Sequence, residues 1–386
     1  MKIPSLASTL PLALGLDLVS SLNIILNNDD GWATANIREL YKALKGDGHN
    51  AYIVAPVEQQ SGQGGTLVFS AEAKLSRAGQ WDTVPAGAPS FGFDPIDSHI
   101  WYYNGTPAAV TLFALDYLVK RQRIFNGADP DLVVTGPNEG PNVGPFAFTF
   151  SGTLGAANAA ISRGIPAIAF SARSFVNRKY TTVSSASDPA ITVGKLAARF
   201  IQRLENNWKT NYNSQKILPY GYGVNVNFPY IHVEAPSSNQ NGCLDPRFVR
   251  TRLTGGAATN YAAYNEDTRT FKWASSYESP GVNTCINGDC GLPNETDVIK
   301  QCKTAVSIFT IDYDAPSCGD PVEVWNMLDG LVENVSTIDS TGGGNSSRDT
   351  TATSVTTLVE TAVAVKAGYN AVAVLFAGAM FVALML

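Results

Sequence analysis

The chain alternates short apolar runs with amphipathic stretches. The first apolar run, residues 22–26, is followed by residues 36–44, whose apolar side chains recur at helical spacing, and then by a second run at 52–54. This pattern repeats, which predicts strands at 131–135, 166–171 and 222–227 and helices at 107–119, 151–162 and 189–204. Repeated β-α-β units predict an α/β fold with a doubly wound, mostly parallel sheet.

The regular alternation ends near residue 230, so residues 22–230 are the expected α/β core. Residues 231–328 contain all five cysteines and one late apolar run at 306–312, which predicts a smaller β-rich extension of the same domain. No two cysteines have the CxxC spacing of a zinc site. Two disulfides and one leftover thiol are therefore expected, with the pairing undetermined.

The N-terminal residues have the pattern of a targeting signal. Residues 1–21 combine an early lysine, an apolar run and small residues before Ser21, as in a secretory signal peptide cleaved near that serine. The alternative is an N-terminal helix of the domain, which Pro4 and Pro11 would interrupt. We favour the signal peptide, and with it a secreted protein.

The C-terminal residues predict a membrane anchor. Residues 329–362 form a Ser-, Thr- and Gly-rich linker, and residues 363–386 form a hydrophobic tail, the arrangement of a GPI-anchor signal. A tail-anchored helix is the alternative, but it would place Lys366 inside the bilayer. Asn345–Ser347 and Thr353–Ser354 are both candidate attachment sites. We expect a lipid anchor that holds the protein at the cell surface.

Glycosylation is a further expectation for an exported chain. The triplets that begin at Asn294, Asn334 and Asn345 are acceptors for N-glycans. Asn104 also begins such a triplet, but Pro107 follows it and burial is the expected state.

The charge balance narrows the class of ligand. The chain has 386 residues, a formal net charge of -6 and a pI near 5.2. A groove that follows nucleic-acid phosphates needs excess Lys and Arg, so such a groove is not expected. The ligand should be a small molecule.

Polar residues cluster at the predicted strand ends. Asp29 and Asp30 directly follow the first strand, and the segment after the second strand contains Ser61 and Gly62. Because parallel strands end at one edge of a sheet, these groups should converge in one crevice. The later strand and the helix after it bring further polar residues to this edge: Asn138, Asn142, Ser151, Gly152 and Thr153.

Carboxylate and amide oxygens suit a hard divalent cation such as Mg²⁺ or Mn²⁺. Glycine-rich turns and the start of the helix at Ser151 favour an anion. A cation beside an anion site predicts phosphate chemistry. Each motif alone is weak, since adjacent acids and glycines are common in ordinary turns.

Seven ordered segments carry a resemblance to a known family. They are NNDDGWATANIRELYKAL, VAPVEQQSG, NGTPA, PDLVVTGPNEGPNVG, SGTLGAA, GIPAIAFS and VNVNFP, and fainter similarity continues at Thr296-Asp297 and residues 307–312. This chain resembles the SurE-type phosphatase and nucleotidase family, the stationary-phase survival proteins, over residues 22–312. The resemblance implies a Rossmann-like core with a C-terminal extension that often mediates dimer or tetramer formation in relatives. A homodimer is therefore one expectation for this chain. It also implies metal-dependent hydrolysis of phosphomonoesters, commonly nucleoside 5'- or 3'-monophosphates.

The resemblance also implies roles for individual residues. It makes Asp29, Asp30, Ser61 and Asn138 the ligands of the divalent ion. It places Gly62, Asn142 and the turn Ser151-Gly152-Thr153 beside the phosphate. A metal-oriented water would attack phosphorus, and either acid could accept its proton.

Two departures from the family pattern stand near the predicted site. Pro137 replaces the usual isoleucine before Asn138, which removes an N–H from the metal loop. Ala109-Val110 replaces an Asp-Cys pair. A surface-anchored protein that binds nucleotide or phosphate without turnover is therefore the alternative function. A dinucleotide-binding oxidoreductase is disfavoured because no Gly-x-Gly-x-x-Gly follows a strand.

Several further residues could be mistaken for functional ones. His49, His99 and His232 are expected at the surface, and Arg38 on a solvated helix face. Trp32 could stack on a base or pack internally. Residues 76–98, longer than the corresponding family segment, could form a lid or a surface decoration.

Overall fold

A nine-stranded sheet forms the centre of the protein in a computed structural model that describes residues 21–172, 176–212, 216–231, 243–254, 259–276 and 289–312. All of these belong to one compact unit, residues 1–321. The second unit, residues 322–386, lies outside the described residues. The predicted signal peptide before Ser21, the linker, the tail, His232, Asn334 and Asn345 also lie outside the described residues. Within them, no helix is long and apolar enough to cross a membrane.

Strands and helices alternate through most of the core. The strands of the large sheet are β1 (Asn23–Asn27), β2 (Asn50–Pro56), β3 (Phe91–Phe93), β4 (Ile100–Tyr103), β5 (Leu132–Glu139), β6 (Ala167–Ala172), β7 (Tyr222–Asn227), β8 (Phe248–Arg250) and β11 (Thr304–Thr310). A separate two-stranded sheet contains β9 (Thr259–Asn265) and β10 (Thr270–Ser276). The helices are α1 (Ala35–Gly46), α2 (Pro107–Phe113), α3 (Gly144–Phe150), α4 (Gly152–Ser162), α5 (Pro189–Asn207) and α6 (Glu295–Lys300).

The order of the large sheet is β3-β4-β2-β1-β5-β6-β7-β11-β8. From β4 to β7 every neighbouring pair is parallel, and β3 and β11 pair antiparallel with β4 and β7. Successive connections leave β1 in opposite directions, toward β2 and later toward β5. The carboxyl ends of β1 and β5 thus flank a topological switch point, the usual ligand site of such sheets. The predicted α/β fold is confirmed.

Each face of the sheet has its own apolar core, as a doubly wound fold requires. Neighbouring residues of a strand point to opposite faces, so Ile24 and Leu26 pack on the side of α1 and α5, whereas Ile25 packs on the side of α2 and α4. All three are completely buried. This two-sided burial explains why the parallel strands are continuous apolar runs rather than alternating ones.

The C-terminal extension is joined to the core by its strands. Among the strands described in the extension, β8 and β11 lie in the large sheet, whereas β9 and β10 form a sheet of their own. Cys243 and Cys302 form a disulfide with their Cα atoms 5.4 Å apart. Cys290 is also disulfide-bonded. The prediction of disulfides is thereby confirmed.

Two predictions of surface position were wrong. His49 is buried, with Nδ1 accepting a hydrogen bond from the Leu22 N–H at 3.3 Å, and burial lowers its pKa. Arg38 is also buried: its guanidinium forms a 3.1 Å ion pair with Asp94 and lies 4.4 Å from the ring centre of Tyr180. The partner of Arg38 comes from the long segment 76–98, which a helical pattern does not reveal.

The segment 76–98 contributes a strand to the sheet and also contacts the loop that follows β2. It supplies β3, the edge strand of the large sheet. It also supplies Gln80, whose N–H donates to the Val57 carbonyl at 3.1 Å. Trp32 is buried against Tyr102, with ring centres 5.4 Å apart, so internal packing is its observed role.

Candidate active site

The acid pair stands at the end of β1, in a turn that its neighbours hold rigidly. Asn28 bonds across this turn: its Oδ1 accepts the Gly31 N–H at 3.1 Å, and its Nδ2 donates to the Gly31 carbonyl at 3.0 Å. Asp29 and Asp30 are only 2% and 3% exposed. Such carboxylates are costly to bury unless other groups stabilise their charge.

Asp29 lies against the first turn of α4. The Thr153 hydroxyl donates to Asp29 Oδ1 at 2.6 Å, and the backbone N–H groups of Gly152 and Thr153 also support the carboxylate. Ser151 is the N-cap, as predicted, and its Oγ accepts the Leu154 N–H at 3.3 Å. The positive end of α4 therefore meets the carboxylate of Asp29 directly.

Gly152 permits this close approach. A Cβ on Gly152 would lie 2.8 Å from the Asp29 Cβ and 3.0 Å from its Oδ2, closer than side chains pack. The predicted turn Ser151-Gly152-Thr153 is thus placed at Asp29. Burial nevertheless outweighs these hydrogen bonds and raises the pKa of Asp29.

Asp30 is stabilised less well than Asp29. Its Oδ2 accepts the Glu139 N–H at 2.9 Å, and its Oδ1 accepts from Asn177 Nδ2 at 3.2 Å. Burial, followed by the negative charge of Asp29, raises the pKa of Asp30 well above its usual range. Glu139 and Asn177 were missed by sequence reasoning; for Glu139 the available signal was an acid directly after Asn138, the predicted metal ligand.

A bulge in β5 brings the Glu139 N–H to Asp30 and places Asn138 directly before it. The Gly136-Pro137 peptide is cis, and the pairing with β6 breaks after Thr135 and resumes with Asn138 opposite Ser171. Gly136 has φ +93°, and a Cβ there would lie 2.1 Å from the Phe170 carbonyl, so only glycine fits. The strand was predicted to end at residue 135; it continues to residue 139 because the bulge absorbs the proline.

Asn138 is buried at the end of this bulge. Its Nδ2 donates to the Gly140 carbonyl at 2.8 Å, which orients the side-chain amide. The ladder on both sides of Pro137 is retained, so the missing N–H of the proline leaves β5 paired.

The loop with Ser61 and Gly62 reaches Asp29 through its backbone. The Gln60 N–H donates to the Asp29 carbonyl at 2.6 Å. The Ser61 hydroxyl is exposed and accepts from Gln59 Nε2 at 2.6 Å. The structure thus brings Asp29, Asp30 and the end of β5 together, and it places Ser61 in the adjoining loop with its hydroxyl bonded to Gln59.

Asn142 is held by a buried polar network. Its N–H donates to Asn227 Oδ1 at 2.8 Å and its Nδ2 donates to Ser171 Oγ at 2.9 Å. Its carbonyl accepts from Nδ2 of both Asn225 and Asn227 at 3.0 Å. These contacts fix the loop that follows β5. A contact of Asn142 with phosphate stays a prediction.

Glu295, the first residue of α6, completes this network from the extension. Its Oε2 accepts the Gly144 N–H at 2.9 Å, its Oε1 accepts from Asn225 Nδ2 at 2.9 Å, and Ser307 adds a further hydrogen bond. Burial raises the pKa of Glu295 to about 7. Sequence reasoning missed Glu295, although it directly precedes Thr296-Asp297, where the family similarity continues. The asparagines of β7 were a second sign of a polar network.

The donor set fits a hard cation. Two buried carboxylates stand side by side, and no described Lys or Arg forms an ion pair with either. Asn177 Oδ1 is buried beside Asp30 without a hydrogen-bond partner. The described residues hold no cluster of three or more His, Cys, Asp and Glu side chains suited to a metal. A cation here would therefore rely on the two acids and on neutral oxygen donors.

A buried acid pair at the switch point of a parallel sheet defines the class: an α/β protein with a polar ligand site at the carboxyl edge. Residues 24–252 match the sequence model of a protein family that is described as survival protein SurE. The chain belongs to the SurE family.

Relatives and a solved structure agree with this assignment. An acid phosphatase of Yarrowia lipolytica is 40% identical over 301 residues, 77% of this chain and 81% of the relative. A 5'-nucleotidase SurE of Methanocella arvoryzae is 33% identical over 312 residues, 79% of this chain and 97% of the relative. The crystal structure of the Sure protein from Aquifex aeolicus is 21% identical, with a TM-score of 0.51 over 80% of this chain and 98% of that one, and supports the fold.

Proposed function

We propose that this protein hydrolyses phosphomonoesters, with nucleoside monophosphates among its substrates and a divalent cation, Mg²⁺ or Mn²⁺, as its cofactor. One observation carries the proposal: two adjacent buried carboxylates without a described ion-pair partner stand at the switch point of the sheet. The family and the printed names of its relatives, an acid phosphatase and 5'-nucleotidases, support the reaction class.

Asp29 and Asp30 would hold the cation, with Asn138 and Ser61 as the neutral oxygen donors that the family motifs suggest. When bound, such a cation supplies Lewis-acid polarisation of a phosphoryl oxygen. Thr153 and the N-terminal turn of α4 orient Asp29, whereas the Glu139 N–H and Asn177 orient Asp30. One of the two carboxylates accepts the proton of the attacking water.

The reaction can be tested with purified protein, p-nitrophenyl phosphate and nucleoside monophosphates, assayed with and without Mg²⁺ or Mn²⁺. Phosphate release should require the cation and should fall by about 100-fold or more in Asp29→Asn, because one acid is lost from the site. Asp116→Asn is the matched control, since its side chain is 57% exposed and pairs with Arg163 at the surface.

Two results would contradict the proposal. One is full activity of Asp29→Asn. The other is saturable binding of phosphate or nucleotide without any release of product, which would favour the non-catalytic binding protein.

We also propose that the enzyme acts outside the cell, held by a GPI anchor. The support is the composition of residues 1–21 and of residues 329–386. Treatment of intact cells with a phosphatidylinositol-specific phospholipase should release the protein, whereas a tail-anchored protein would stay on the membrane.

A further inference from the structure

Three aromatic side chains meet beside the proposed phosphate loop. Phe146 and Phe150 lie one turn apart on α3 with ring centres 5.7 Å apart and nearly parallel planes. Trp273 of β10 lies 6.0 Å from the ring of Phe146 and 6.4 Å from that of Phe150. These three residues are called the aromatic cluster. Two separate parts of the chain, α3 and the hairpin of the extension, thus contribute to it.

The aromatic cluster is far from buried. Phe146, Phe150 and Trp273 are 45%, 49% and 59% exposed. Phe148, between the two phenylalanines, packs inward instead, with its ring centre 5.3 Å from that of Phe309. The aromatic cluster therefore exposes large apolar ring surfaces to solvent. The hydrophobic effect favours a state in which these surfaces are covered.

The aromatic cluster is continuous with the candidate active site. The Phe150 ring lies over Gly62, where a Cβ would come within 2.7 Å of Cζ, and the Phe150 carbonyl accepts the Gly64 N–H at 2.9 Å. Phe150 directly precedes Ser151, the cap of the helix whose Thr153 bonds to Asp29. A substrate whose phosphate lies beside Gly62 and the Ser151-Gly152-Thr153 turn would thus have aromatic surface at the edge of the same site.

We propose that the aromatic cluster binds the planar ring of the substrate's leaving group, the nucleobase of a nucleoside monophosphate. This rests on the phosphatase function proposed above, and it identifies the part of the chain that selects the substrate. Stacking on aromatic side chains binds any base, because every base presents a π-face. The occupant must also carry phosphate, and a mononucleotide unites the two.

The aromatic cluster should bind bases without distinguishing among them. Its one polar group, the Trp273 indole N–H, already donates to Asn260 Oδ1 at 2.7 Å. The rings of Phe146 and Phe150 have no hydrogen-bonding groups. Purine and pyrimidine monophosphates should therefore both be preferred over a phosphate ester that lacks a ring.

The test compares kcat/KM for AMP and UMP with kcat/KM for ribose 5-phosphate, which keeps the sugar and phosphate but has no base. In the parent protein both nucleotides should exceed ribose 5-phosphate. Trp273→Leu and Phe146→Leu should each lower the ratio of nucleotide to ribose 5-phosphate by about 10-fold, with little change for ribose 5-phosphate itself.

Phe271→Leu is the matched control. Phe271 lies on the same strand and is 67% exposed, but its ring contacts Tyr264, with centres 4.9 Å apart. In Phe271→Leu the ratio of kcat/KM for nucleotide to kcat/KM for ribose 5-phosphate should equal that of the parent. Equal loss in Phe271→Leu would mean that the hairpin has been disturbed, and it would overturn the proposal.

Other outcomes separate this proposal from the one on which it rests. Equal kcat/KM with and without a base refutes the aromatic site and leaves the phosphatase intact. Light scattering could show that Trp273→Leu changes the molecular mass while the substrate ratio stays unchanged. This result would assign the aromatic cluster to contact between copies of the chain, and it would also refute the proposed base site. No phosphate release from any of the three esters would refute the phosphatase itself.

Discussion

Replacing Glu295 by glutamine is expected to remove part of the pH dependence of the protein's stability. Glu295 is 1% exposed, and its carboxylate accepts the Gly144 N–H and the Asn225 amide. Burial raises its pKa from 4.5 to about 7. Ionisation of this side chain therefore costs more in the folded protein than in the unfolded chain.

The sign follows from proton linkage. Below pH 4.5 Glu295 is protonated in both states, so it adds no pH dependence to the free energy of unfolding. As the pH rises, the unfolded chain releases its proton first, and folding becomes less favourable. This continues until the folded protein also ionises near pH 7. At about 1.4 kcal/mol per pKa unit, the free energy of unfolding should lose about 3 kcal/mol across this window. Glutamine stays neutral, so this loss should disappear in Glu295→Gln.

Glutamine also has a cost that does not depend on pH. Its amide NH₂ must face one of the donors that the carboxylate accepts, which destabilises the fold by about 1–3 kcal/mol. Glu295→Gln should therefore be the less stable protein near pH 4.5 and should equal or exceed the parent above pH 7.

Urea unfolding of parent and variant at a series of pH values measures this difference. Both proteins keep Asp29 and Asp30, so subtracting one curve from the other isolates Glu295. Asp297→Asn, an exposed acid on the same helix, is the control and should run parallel to the parent. Parallel curves for Glu295→Gln would refute the reasoning, since they would show that Glu295 titrates alike in both states.

Three further predictions concern the candidate site and the extension. Thr153→Val should lower kcat/KM by about 10-fold or more, because a hydrogen bond to a buried carboxylate contributes about 1.5–3 kcal/mol, whereas Thr153→Ser should restore activity. Gly152→Ala should lower both phosphate release and urea resistance, since its Cβ would stand 2.8 Å from the Asp29 Cβ; unchanged values would mean that the helix can shift freely. Replacing Cys243 and Cys302 by serine should cost about 4 kcal/mol in thermal unfolding, from the 59-residue separation of the bridge, and an unchanged melting temperature would contradict this.

The parts of the fold that depend on local pattern could be predicted from the sequence. β7 was predicted at its observed bounds, and Ser151 was recognised as the start of a helix; the structure shows its side chain accepting a backbone N–H at that position. These features follow from periodicity and from side-chain chemistry within a few residues, which a single sequence displays.

Contacts between distant segments could not be predicted in this way. Arg38 is buried because Asp94 neutralises it, and Glu295 is buried because Gly144 and Asn225 donate to it. Each partner lies far away in the sequence, and no local pattern marks it. The family motifs drew attention to Asp29 and Asp30, whereas the groups that orient those acids emerged only from the structure.

The position of β11 has a consequence for how the chain folds during synthesis. β11 pairs antiparallel with β7, and β8 pairs in turn with β11, so the last part of the large sheet is completed only after Thr310 has been made. Until then β7 presents an open, apolar strand edge to its surroundings. A nascent chain that pauses between β7 and β11 should therefore be prone to aggregation, and a chaperone that covers strand edges should favour its folding.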